Sequence, residues 1–285
     1  MRWSIPEQSL HCERHSTVEL IPRSWDNYYQ HDLDNDEDNS EKPPPELSEL
    51  ESWFDDVDAP AKTLEFLTSE SFPLSPRSSN PPRAPASVLD LGTGNGSALF
   101  ALRLEGGYTG DMVGVDYSPQ SIDLARRLWR QYAALPISEE MSRHGDGLAQ
   151  TPADIRFEVL DLIRDSPQSQ SWWPQDKAGF DLVLDKGTFD AISLSSETMT
   201  DGATGREGRI CEVYPRKVAE LVAPGGYLLI TSCNWTEEEV IRWFTKGDSV
   251  QGLLHFFDSI KYPVFEFGGQ KGQGVASVCF RRERD

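Results

Sequence analysis

Apolar and polar positions alternate most clearly from Ser87 onward, where the pattern switches repeatedly between two periods. Short apolar runs read as strands: SVLDLG at 87–92, DMVGVDYS at 111–118, DIRFEVLDL at 154–162, FDLVLDKG at 180–187 and YLLITSCNW at 227–235. Between them, apolar residues fall at helical spacing in GSALFALRLEGG, SPQSIDLARRLWRQYAA, ICEVYPRKVAELVAPGG and TEEEVIRWFTK. Ser118 followed by Pro119 is an N-cap and first-turn pair. Thr236 with Glu239 three residues on is a capping box. The C-terminal SIKYPVFEFGGQKGQGVASVCFRRE reads as two strands joined by a glycine-rich hairpin. This alternation predicts an α/β fold: a doubly wound, mostly parallel seven-stranded sheet with right-handed crossovers and a C-terminal antiparallel hairpin.

Ahead of Ser87 the pattern weakens. HDLDNDEDNSEKPPPELSE joins an acidic run to three prolines, a composition that buries too little surface to order itself. PLSPRSSNPPRAPA is a second such stretch. Between them, Leu64 and Leu67 follow Pro60 at helical spacing and predict a helix capping the main domain. The expected division is an N-terminal segment over 1–58, with an acidic flexible linker, and a main domain over 59–285 with its core at 87–285. Two polar, glycine-containing insertions, LPISEEMSRHGDGLAQTPA and SSETMTDGATGREGR, read as surface loops.

Charge narrows the partners. The net charge is -20, and phosphate binding needs clustered Lys and Arg, so a nucleic-acid partner is not expected. A basic protein partner suits such a field. Cys12, Cys211, Cys233 and Cys279 lack C-x-x-C spacing, which argues against a metal site or disulfide framework and fits a reducing compartment. No secretory h-region is visible, and no apolar run approaches the roughly 18 residues of a membrane span. A cytoplasmic monomer that avoids membranes is the expectation. His144, in a polar loop, and His255, in an apolar helix-like run, are read as incidental.

The chemistry concentrates at strand ends. In VLDLGTGNG, Gly92, Gly94 and Gly96 permit positive φ and let a ligand approach the main chain. Asp90 precedes the turn. Asp116 ends the second strand, 20 residues after Gly96, where a carboxylate accepts from ribose hydroxyls. Asp161 ends the third strand within reach of an adenine amino group. A dinucleotide would want G-x-G-x-x-G, and Asp90 would repel its pyrophosphate. An adenosine cofactor without phosphates and with a positive centre fits better, and S-adenosylmethionine has both features. Asp185 lies at the same rim, beside the reactive end of such a cofactor, which points to a substrate role more than to a surface ion pair with Lys186.

These segments, with LLITSCNWTEEEV, VLDKGTFDAISL and FEFGGQKGQGVASVCF, resemble the seven-strand, Rossmann-like class I S-adenosylmethionine-dependent methyltransferases. More narrowly they resemble the protein-lysine methyltransferases that act on translation elongation factor 1-alpha. The resemblance spans Ser87 to the C-terminus, plus SWDNYY at 24–29. It implies that Asp90, Gly92, Gly94 and Gly96 hold the methionine end of the cofactor, Asp116 the ribose, and Asp161 with Leu162 the adenine. It places Asp185, which also belongs to the cofactor set, at the mouth where a lysine enters, with Thr188 beside it. Trp25 would fold over the cofactor, and Trp235 would line the lysine channel. No metal is expected, because nothing in the sequence makes a ligand cluster. The alternatives are a methyltransferase for a different protein or small-molecule acceptor and, behind it, a non-catalytic binding module that retains the cofactor fold.

Overall fold

The computed structural model describes residues 26, 28–31, 33, 44–50, 52–80, 82–135, 154–200, 205, 207–246, 250–267 and 270–284. Seven strands form one sheet: β1 (Val88–Leu91), β2 (Met112–Asp116), β3 (Ile155–Val159), β4 (Phe180–Lys186), β7 (Val222–Ser232), β8 (Leu254–Ile260) and β11 (Ala276–Arg282). Their order is β3-β2-β1-β4-β7-β11-β8. β11 runs antiparallel to both its neighbours, while the pairings among β3, β2, β1, β4 and β7 are parallel. Strand order therefore reverses between β1 and β4, the place where open α/β sheets bind ligands.

Helices cover both faces. α1 (Ala59–Thr68), α2 (Ser97–Leu104) and α3 (Pro119–Ala133) bury Leu67, Phe100, Leu128 and Trp129 against one face, which Val88, Leu182 and Leu184 also share. α4 (Thr188–Leu194), α5 (Ile210–Leu221) and α6 (Glu237–Thr245) bury Phe189, Tyr214, Val240 and Phe244 on the other, with Leu89, Leu91 and Val183. The expected caps form: the Ser118 hydroxyl accepts from Ser121 N, and Thr236 and Glu239 bond reciprocally.

Three readings change. The apolar run around His255 is strand β8, because a short apolar run cannot be assigned by period alone. His255 Nε2 lies 2.9 Å from Glu283 Oε2 on the surface. The C-terminal hairpin is consequently longer: β8 pairs with β11, and a separate ribbon of β9 (Val264–Phe267) and β10 (Gln270–Gln273) lies between them. The second insertion carries a small ribbon, β5 (Thr198–Thr200) with β6 (Glu207–Arg209), and most of the first lies outside the described residues.

The acidic linker is also tied down where it is described. Leu33 and Leu50 are buried in the core cluster, Arg127 donates to Leu33 O, and the Tyr132 hydroxyl donates to Pro45 O at 2.6 Å. Scattered leucines anchor a segment whose average composition says otherwise.

Candidate active site

The glycine turn is held rigid by its neighbours. Gly94 N donates to Asp116 Oδ2 at 3.1 Å, and the Ser121 hydroxyl donates to Gly94 O at 2.8 Å. Asp116 also accepts from Ser118 N, so one carboxylate fixes both the turn and the start of α3. Asp90 accepts from the Thr93 hydroxyl at 2.7 Å. A Cβ on Gly94 would lie 2.8 Å from the Tyr29 hydroxyl, so a residue of the SWDNYY segment rests against the turn.

These groups open onto a cavity of about 430 Å³ at the β1/β4 reversal, within the about 300–1,000 Å³ usual for small-ligand sites. Asp90, Gly92, Gly94, Asp116, Asp161, Leu162 and Thr188 line it, as the sequence suggested. Tyr28, Tyr29, Trp53, Asp55, Arg164, Lys186 and Glu197 line it too. Five carboxylates thus face two cations among the described lining residues, so the cavity favours a cationic ligand.

Burial sets the state of these acids. It pushes the Asp90 carboxyl up to about 6, against the Thr93 bond and the nearby Lys186 charge. It also raises Asp116, although backbone donors at Ser118 and Gly94 pull the other way. Asp161 is half-buried, and burial alone would raise it. The Arg164 guanidinium at 2.8 Å and the backbone donors of Ile163 and Arg164 prevail and hold it low.

A family model described as a methyltransferase domain matches residues 83–269. The chain belongs to the methyltransferase family. Protein-lysine N-methyltransferase efm4 of Schizosaccharomyces pombe is 34% identical over 265 residues, 90% of this methyltransferase and 91% of that protein. EEF1A lysine methyltransferase 2 of Homo sapiens is 32% identical over 197 residues, 69% of this methyltransferase and 66% of that protein. The fold is shared with a solved magnesium protoporphyrin IX methyltransferase (ChlM) from Synechocystis PCC 6803 with bound S-adenosylmethionine. There the TM-score is 0.51 at 11% identity, over 95% of this chain and 100% of that one. S-adenosylmethionine is the cofactor of this methyltransferase. The residues present fit it: buried carboxylates at the ends of β1 and β2, a glycine cradle and an acidic cavity.

Three expected site residues do not line the cavity, and a fourth falls outside the described residues. Gly96 stands behind the turn at the N-cap of α2, where a Cβ would meet Phe100 and Phe157. Trp235 is absent from the cavity wall and stacks on Phe189 at 6.0 Å, with Trp243 edge-on at 5.5 Å. Trp25 lies outside the described residues. Asp185 is 1% exposed, does not line the cavity, and turns toward the cluster that holds Phe189 and Tyr214. There its Oδ1 accepts from Thr188 N (2.9 Å) and Phe189 N (3.2 Å), and its Oδ2 accepts from the Tyr214 hydroxyl (2.8 Å). Strand alternation explains the swap: Lys186, one residue on, takes the cavity side.

Asp185 therefore orients the start of α4 and does not meet the cavity contents. Burial pushes its carboxyl up to about 7, against the bonds from Tyr214, Phe189 and Thr188. The folded state then holds a proton that the unfolded state releases near 3.8, the ordinary value for this carboxyl. Folded stability falls as pH rises through that window, and the loss is complete above about 7. Asp185→Asn is expected to flatten this slope, gaining on the wild type by a few kcal/mol between pH 4 and pH 8, with methyl transfer kept within a few-fold. Denaturant titrations across pH check it. Loss of turnover in a folded, cofactor-binding variant would place Asp185 at the reacting groups after all.

Proposed function

We propose that this methyltransferase carries the methyl group of S-adenosylmethionine to a lysine side chain of translation elongation factor 1-alpha. The observation that carries the reading is a pair: relatives named for lysine methylation align over most of the chain, and the cavity is acidic with an aromatic rim. Trp53, Tyr28 and Tyr117 are 38%, 41% and 41% exposed at that rim, where aromatic faces and carboxylates suit a lysine side chain. The net charge of -20 favours encounter with a basic protein. The cytoplasm is the compartment this reading implies.

When bound, S-adenosylmethionine supplies a methyl group on a sulfonium, a good leaving group. The chain's task is then mainly positioning, which is worth several orders of magnitude when reacting groups are held in line. Asp90 would hold the ammonium of the methionine end and Asp116 the ribose hydroxyls. Leu162, three residues beyond β3, would offer an apolar surface to the adenine, and Asp161 stands next to it. Thr188, Gly187 and Ala191 form the wall on the α4 side. An acceptor lysine attacks only when neutral, and its ordinary pKa is about 10.4. Leu160, Leu162, Ile192 and the rim aromatics favour the neutral amine by desolvation, while the cavity carboxylates favour the charged one.

An ionised Asp90 is required to hold an ammonium. Because burial puts that carboxyl at about 6, cofactor affinity is expected to fall about tenfold per pH unit below 6 and to level off above 7. Calorimetric titration with S-adenosylmethionine across pH reads it directly, and Asp90→Asn should shallow the curve. An affinity independent of pH between 5 and 8 would remove Asp90 from the ammonium site.

The acceptor is tested with an equimolar panel of purified elongation factor 1-alpha, an unrelated basic protein and free lysine, each offered with methyl-labelled cofactor. Label on the elongation factor alone supports the reading. Label on the unrelated protein or free lysine in its place transfers the activity to another acceptor.

A further inference from the structure

The zwitterionic tail of the cofactor poses a question that Asp90 answers only by half. An ammonium and a carboxylate sit on one carbon, so whatever binds the second must lie next to what binds the first. Two cations line the cavity among the described residues. Arg164 is already engaged, by Asp161 at 2.8 Å and by Glu197 at 2.5 Å. Lys186 is not: no hydrogen bond or ion pair of contact length joins its ammonium to any described residue, although it is largely buried and lines the cavity.

Sheet register places Lys186 beside Asp90. Asp90 pairs with Leu184 across the β1/β4 ladder, and Lys186 lies two residues beyond Leu184, on the same face. Trp53 covers this corner, since a Cβ on Gly187 would lie 2.8 Å from its ring. Phe54, the next residue, adopts φ 69°, a conformation that costs a bulky side chain and that fixes where Trp53 and Asp55 project. A cation has thus been placed in a part-closed acidic corner without a contact partner of its own. Such a group is costly unless something completes it.

We propose that Lys186 is the anchor for the α-carboxylate of S-adenosylmethionine, the counterpart of Asp90 at the ammonium. This rests on the cofactor assignment and not on the identity of the acceptor. The charges around Lys186 agree with it. Burial lowers its pKa, while Asp90, Asp55 and Asp185 favour the charged form, and an incoming carboxylate would favour it further. Asp90 gains as well, because its own partner becomes the cofactor ammonium while Lys186 turns to the carboxylate.

The test compares two ligands that differ only in the carboxylate, S-adenosylmethionine and its decarboxylated form, titrated calorimetrically into wild type, Lys186→Met and Lys186→Arg. Thermal melts of the ligand-free proteins establish that each variant is folded. A charge-assisted bond is worth about 10- to 100-fold in affinity. Lys186→Met should lose that much for S-adenosylmethionine and almost nothing for the decarboxylated ligand, and Lys186→Arg should fall between. An equal loss for both ligands would make Lys186 a partner of Asp90 or of the fold, and overturn the proposal. So would unchanged binding of both, even if transfer to a lysine slowed, because Lys186 would then act on the acceptor. If the wild type discriminates as stated yet elongation factor 1-alpha is not methylated, the anchor stands and the acceptor is wrong.

Discussion

Replacing Gly92 with alanine is expected to weaken S-adenosylmethionine binding by about 100-fold or more and to cost about 2–4 kcal/mol of stability. Two effects combine at this position. Gly92 has φ +62°, which strains any residue with a Cβ. An added Cβ would also lie 2.1 Å from Thr188 Oγ1, with the Thr188 Cβ and Cγ2 at 3.3 and 3.4 Å. Thr188 has little room to retreat. Its hydroxyl donates to Leu91 O at 2.7 Å, and its backbone N is held by Asp185. The turn must therefore move away from α4, into the space the cofactor needs. Calorimetry and chemical denaturation read the two losses separately. Adding Thr188→Ala removes the clashing oxygen and methyl, so the double variant should recover most of the stability but keep the φ strain. If it recovers none, the overlap with Thr188 is not the cause.

Asp190→Ala is the second large effect, expected at about 3 kcal/mol or more of lost stability. Asp190 is 2% exposed and bonds to a segment that begins 42 residues further along the chain. Its Oδ1 accepts from the Ser232 hydroxyl at 2.5 Å and its Oδ2 from Cys233 N at 2.8 Å. Its backbone oxygen accepts from Asn234 Nδ2 at 3.5 Å. Through these bonds the DKGTFDAISL and ITSCNW segments hold each other, and α4 keeps its place beside the end of β7. Alanine strands a hydroxyl and a backbone N–H without acceptors. Asparagine keeps one acceptor, so Asp190→Asn should cost roughly half as much. Equal costs for the two, or a cost near zero for alanine, would show that burial of the carboxylate already cancels its bonds.

What could be read from the sequence, and what could not, follows from the range of the interactions. The turn in VLDLGTGNG and the carboxylates Asp90 and Asp116 were legible because each depends on a strand end and its own next few residues. The choice between Asp185 and Lys186 was not. β4 is buried on both faces, so FDLVLDK shows no alternation to tell which side faces the cavity. Only its register with β1 decides, and that is a long-range fact. Trp53, Tyr28 and Tyr29 reach the site from segments whose composition predicts little packing. A compositional average hides single aromatic anchors. Trp235 failed for a related reason: the aromatic is real, but Phe189 and Trp243 claim it for packing.

One measurement bears most directly on the whole account. The protein is loaded with methyl-labelled S-adenosylmethionine, freed of excess, mixed once with purified elongation factor 1-alpha, and the label is mapped by mass spectrometry. The label is expected to leave the cofactor and appear on a lysine side chain of the elongation factor. A cofactor that stays bound with its label, or a label that settles on any other kind of group, would contradict it.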